Sequence, residues 1–134
     1  MASVSFSLVT LTTLRASDVM TTDAVTLAEY EQVETAIELL TSAGCRFVPV
    51  VRNRRVVGVI DERLVVGQRR PAHDATASVA TIHHTASLAD VIDRLVGSGG
   101  DHLVVVDDHG HVMGVVTAIA IVRLLDAALA PAGR

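Results

Sequence analysis

Apolar residues fall on a helical stripe twice in this chain, and each stripe is followed by two valine-rich runs. In the first stripe Val33, Ala36, Ile37 and Leu40 recur at i, i+3, i+4 and i+7, and Leu88, Val91, Ile92 and Leu95 repeat that spacing in the second. Phe47 to Val51 and Val56 to Ile60 follow the first stripe; Leu103 to Val106 and Val112 to Val116 follow the second, with a charged turn between the runs each time. The stripes stand 55 positions apart (Val33 to Leu88) and the glycines within the last runs 56 apart (Gly58 to Gly114), so one residue is added near Gly97 to Gly100. Two copies at so long a period predict a paired domain rather than an open array of repeats.

Element by element, the first copy reads as a short strand at 25–27, a helix over 31–42 stopped at Gly44, strands over 47–52 and 55–60, and a helix through Leu64 and Val66. The second copy follows the same plan. Ser87 with Asp90 forms a capping box, Asp108-His109-Gly110 supplies a hairpin turn, and Thr117 caps a last helix reaching about Leu129. The Gly97-Ser98-Gly99-Gly100 segment ends a helix instead of opening one. Each copy is thus β-α-β-β-α, a mixed α/β (α+β) class, with the first over 14–67, a Pro- and Ala-containing linker over 68–78 and the second over 79–129. In the extension over 1–13, the alternation from Ser5 to Leu11 predicts an additional strand.

Composition then narrows the chemistry. A chain of 134 residues makes one compact domain or two interlocked small ones. Half of it is hydrophobic but only 2% aromatic, so the core is built from Val, Leu, Ile and Ala, which favours mixed α/β packing over a base-stacking surface. A net charge of −4 argues against nucleic acid as a partner. Arg52, Arg54 and Arg55 and the Arg69-Arg70 pair are the basic exceptions, read as solvated turns. The lone Cys45 excludes an internal disulfide and a cysteine-pair metal site and is expected as a small buried hydrophobe in a reducing compartment. Neither a signal core nor a membrane-length apolar run stands out, so the cytoplasm is expected. All six histidines lie after residue 72, but neither His83-His84 nor His109/His111 has the i, i+4 spacing of a helical metal motif, and no metal is expected. No nucleophile motif or phosphate-cradling glycine loop appears, and the chain is not expected to be an enzyme.

The segment Leu14 to Thr22, then Val25-Thr26-Leu27, the first helix, Arg46 to Val51 and Gly58-Val59-Ile60 together resemble a cystathionine-β-synthase (CBS) domain. Leu103 to Asp107 and Gly114 to Thr117 resemble a second, so the whole is similar to the tandem CBS pair, or Bateman module, of stand-alone bacterial and archaeal proteins. That resemblance implies two units related by a pseudo-twofold axis and a regulatory role. It also implies two inter-repeat clefts that take adenosine-containing ligands such as AMP, ATP or S-adenosylmethionine. Such a cleft suits a nucleotide because Val and Ile walls sandwich adenine, a carboxylate accepts from ribose, and a hydroxyl or Arg meets phosphate.

By the same resemblance the first cleft combines Val115, Thr117 and Ala120 with Asp23, Ala28, Cys45 and Arg46; the second combines Val59 and Asp61 with Ser78, His83, Asp101 and His102. The family signature runs Gly, two apolar residues, Ser or Thr, two variable residues, Asp. Here the carboxylate position is Ala120 in the second repeat and Leu64 in the first, where Asp61 also replaces the hydroxyl. Losing one charge-assisted hydrogen bond costs about 1.5–3 kcal/mol, roughly ten- to a hundredfold in affinity. Of the two clefts the first is the better candidate, since Arg46 and Thr117 suit a phosphate while Asp61 and Asp101 repel one. The alternative is a scaffold that kept the architecture and lost the ligand. A homodimer is expected in either case, because Leu64, Val65, Ile121, Leu124 and Leu125 exceed what a small unit buries internally.

Overall fold

The computed structural model describes residues 8–22, 26–43, 47–61, 79–99 and 101–130. Contacts gather these into two compact units. A central unit takes its described residues from 26–61, Val79 and 106–112, and a terminal unit from 8–22, 80–105 and 113–130. Each contains a three-stranded sheet and helix, in keeping with the mixed class expected.

In the central unit β1 (Leu27–Ala28) runs parallel to β2 (Phe47–Arg52), and β2 is antiparallel to β3 (Arg55–Asp61). The register runs from Phe47 opposite Asp61 to Arg52 opposite Arg55, with an irregularity that leaves Val57 unpaired between Gly58 and Val56. Among the described residues β1 pairs with Val50 and Val51 and not with Pro49, whose missing N–H therefore leaves no β1–β2 ladder bond unmade there. Asn53 (φ 50°) and Arg54 (φ 70°) make the two-residue turn, both left-handed as a twisted hairpin requires. The helix α3 (Val33–Ala43) lays Val33, Ala36 and Leu40 against Leu27, Val48, Val50 and Ile60, with Ile37 half-buried beside them. The predicted stripe is therefore the buried one.

In the terminal unit, α1 (Leu8–Thr13) and α2 (Ala16–Val19) precede β4 (Thr81–His83) and the second amphipathic helix, here α4 (Leu88–Gly97). After β5 (His102–Val106) and β6 (Val112–Thr117) comes α5 (Ala118–Leu129). Leu88, Val91 and Leu95 meet Leu103, Val105, Val116 and Ile121, together with Leu11 and Ala16 from the leading helices. The Ser87 hydroxyl accepts from the Asp90 amide at 3.1 Å, and α4 ends where Ser98 N–H returns to Arg94 O and Gly99 turns left-handed at φ 101°. Between β5 and β6, Asp107 O accepts from Gly110 N–H at 3.1 Å and Gly110 sits at φ 78°, the turn expected at 108–110.

Two expectations need correction. The strand predicted over Ser5 to Leu11 is a helix from Leu8 onward, with Leu11 only 6% exposed in the core. Leu8 and Leu11 stand three apart, so the run satisfies a helical stripe as well as an alternation, and packing beside α4 decides between them. Likewise Ile121 is not surplus: it is 5% exposed in the unit's own core, with Leu124 and Leu125 packed partly buried against that core. The apolar residues that α5 does present outward are Ile119, Val122 and Leu129. Gly44, Leu64, Val65, Val66 and residues 68–78 lie outside the described residues.

Candidate functional site

The second repeat carries the Gly-Val-Val-Thr portion of the signature at the end of β6. Val115 is buried, and its amide and carbonyl exchange hydrogen bonds with Thr21, at 3.2 Å to Thr21 O and 2.8 Å from Thr21 N–H. Gly114 makes that approach possible: a Cβ there would lie 2.6 Å from Thr21 O and 2.8 Å from Met20 Sδ. No short-range sequence signal pairs Thr21 with Val115. A glycine inside a valine-rich strand is the one hint that another backbone comes close.

Thr117 is half-buried, and its hydroxyl accepts from Ala120 N–H at 3.2 Å, so it is the N-cap of α5. Acceptance leaves the hydroxyl proton for a further partner. Ala118 N–H donates to Asp101 O at 2.9 Å, which sets Asp101 and His102, the start of β5, beside the Thr117 cap. Residues that the resemblance assigns to different clefts thus converge within the terminal unit. His83 ends β4; its Nδ1 is 2.7 Å from Thr85 Oγ1, and its ring leans on His84 at a 4.5 Å centroid separation.

In the central unit Ala28 is half-buried at the end of β1, opposite Val51. Val59 is buried opposite Pro49, and Asp61 is half-buried at the last position of β3, opposite Phe47. Asp23, Cys45, Arg46 and Ser78 lie outside the described residues. Charge is arranged at the other end of this sheet. Arg52 Nε donates to Glu29 Oε1 at 2.7 Å, and that hydrogen bond, with the Glu29 charge, holds the guanidinium even more firmly protonated than usual. Asp107 Oδ1 accepts from the His111 and His109 amides at 2.9 and 2.8 Å, and these bonds, His111's first, pull the carboxyl below its ordinary range.

No helix among the described residues is long and apolar enough to cross a membrane. The sequence profile of the CBS domain matches residues 16–67 and again 73–127. A curated relative, the uncharacterized protein MJ0188 of Methanocaldococcus jannaschii, is 25% identical over 117 residues, 82% of this chain and 43% of that protein. The chain spans less than half the length of that relative. Two solved structures share the fold. The CBS domain pair of protein MJ0100, in complex with 5′-methylthioadenosine and S-adenosyl-L-methionine, matches at a TM-score of 0.73 and 21% identity over 84% of this chain and 95% of that one. CBSX2 in complex with AMP matches at 0.75 and 22% identity over 84% and 96%. With two profile matches spanning most of its length, this chain belongs to the CBS domain family and carries the domain as a tandem pair.

Proposed function

We propose that this CBS pair is a non-catalytic regulatory module that senses an adenosine-containing compound, AMP, ATP or S-adenosylmethionine. The observation that carries this reading is the likeness, over 84% of the chain, to the CBS domain pair of MJ0100 and to CBSX2, whose structures hold such compounds. Thr117 supports it in chemical terms, since a hydroxyl that caps a helix as acceptor still donates to a phosphate or ribose oxygen at the positive end of that helix. Within this reading the ligand is held by the first set, Asp23, Ala28, Cys45, Arg46, Val115, Thr117 and Ala120. The second set, Val59, Asp61, Ser78, His83, Asp101 and His102, is the weaker candidate. The CBS domains span 14–67 and 79–129, and the protein acts in the cytoplasm as a homodimer. Occupancy changes its shape or its affinity for a regulated protein.

Ala120 and Leu64, where the signature has a carboxylate, favour a second reading, a dimeric interaction scaffold without a ligand. A thermal-shift screen against AMP, ATP and S-adenosylmethionine separates the two, because a compound that prefers the folded state raises the melting temperature with concentration. A graded rise that disappears in Arg46→Ala supports the sensor; a flat response to millimolar ligand supports the scaffold.

A further inference from the structure

The basic turn at Arg52, Arg54 and Arg55 gains a setting in the central unit that its sequence does not give it. Arg52 and Arg55 are cross-strand partners at the last rung of the β2–β3 ladder and therefore share a face. The loop between β5 and β6 is stitched to this turn: Val112 N–H donates to Arg54 O at 3.1 Å, and His111 forms an antiparallel bridge with Arg55. Gly110 backs the Arg55 stem, since a Cβ on Gly110 would lie 3.9 Å from Arg55 Cγ. Arg52, Asn53, Arg55, Val56, Val57 and His111 then line a solvent-open cavity of about 580 Å³.

We infer that this cavity binds a small organic phosphate. The planar guanidinium of Arg55 presents paired donors that match phosphate oxygens, and Val56 and Val57 offer an apolar surface to the organic part. Arg52 is tied to Glu29, and Asp107 Oδ2 lies 3.6 Å from His111 Nδ1. Those two carboxylates offset part of the positive charge, so Arg55, which has no ion pair among the described residues, is the principal anion contact. A polyanion such as DNA would meet both carboxylates, whereas one phosphate reached by Arg55 need not. Arg55 stands six residues along β3 from Asp61, about 20 Å at the usual strand rise, so this cavity is separate from Asp61, while Ala28, opposite Val51, is the assigned residue nearest to it.

The test is a titration of the full isotopically labelled chain, followed by amide spectra at constant ionic strength, with phenyl phosphate, inorganic phosphate and a short DNA duplex. Phenyl phosphate is expected to shift the amides of 53–57 and 110–112 saturably and to bind more tightly than inorganic phosphate, with no saturable effect of DNA. Arg55→Ala should weaken phenyl phosphate about tenfold or more while keeping a dispersed, folded spectrum, and Arg123→Ala, on α5, should leave it unchanged. Undiminished binding in Arg55→Ala, shifts scattered over other basic residues, no saturable shift at millimolar ligand, or DNA outcompeting phenyl phosphate would each overturn the assignment.

Discussion

The carbonyl oxygen of Thr21 lies so close to Gly114 that a methyl group on that glycine would stand 2.6 Å from it. The contact is fixed by the paired Thr21–Val115 hydrogen bonds, so the leading segment cannot yield without losing them. Gly114→Ala is therefore expected to destabilise the protein by about 1–3 kcal/mol, the usual cost of overpacking, read as a lower urea midpoint. A midpoint equal to wild type would mean that the segment moves aside at no cost.

Thr117 is expected to matter for stability before any ligand is added. Removing its cap in Thr117→Ala should cost about 1 kcal/mol, and Thr117→Ser should restore most of it because the accepting oxygen returns. Denaturation of the three proteins without ligand checks the cap alone.

Asp107 gives the fold a defined acid limb. Its carboxyl is held below the ordinary range, first by the His111 amide and then by the His109 amide, so the folded state prefers the ionised form more than the unfolded chain does. That stabilisation is fully present above the ordinary carboxylate range and is lost as pH falls through the depressed folded value. Asp107→Asn should flatten this part of the stability–pH curve, measured by urea denaturation across the acid range; an unchanged curve would exclude Asp107 as its source.

The outward and inward faces of α5 should respond differently. Ile121→Ala is expected to cost about 2–5 kcal/mol as a core truncation. The double variant Ile119→Glu with Val122→Glu, at residues 56% and 57% exposed, should leave stability nearly intact and dissociate the proposed dimer in sedimentation. A dimer that survives those charges would have to use another surface.

What the sequence discloses follows from the range of the forces involved. Val33, Ala36 and Leu40, and Leu88, Val91 and Leu95, are legible because helix periodicity is local and their burial follows it. The Ser87 and Thr117 caps and the Gly110 turn are legible for the same reason, each being set within a few residues. Leu8 to Leu11 was not, because a run that short fits strand and helix alike until its neighbours choose. The same limit hides Thr21 against Val115 and His111 against Arg55, contacts 94 (115 minus 21) and 56 (111 minus 55) positions apart in sequence. At the candidate site, sequence identifies the residue types and the missing carboxylates but not which side chains converge: Thr117 is legible as a cap, its adjacency to Asp101 is not.

The most direct test of the central claim is a calorimetric titration of the purified protein with AMP and with S-adenosylmethionine, repeated on Ala120→Asp. That substitution restores the carboxylate of the family signature at the third residue of α5, near its positive end. A sensor predicts saturable binding of at least one compound, tightened roughly ten- to a hundredfold by Ala120→Asp. No measurable binding by either protein at millimolar ligand would contradict the sensor and leave the scaffold.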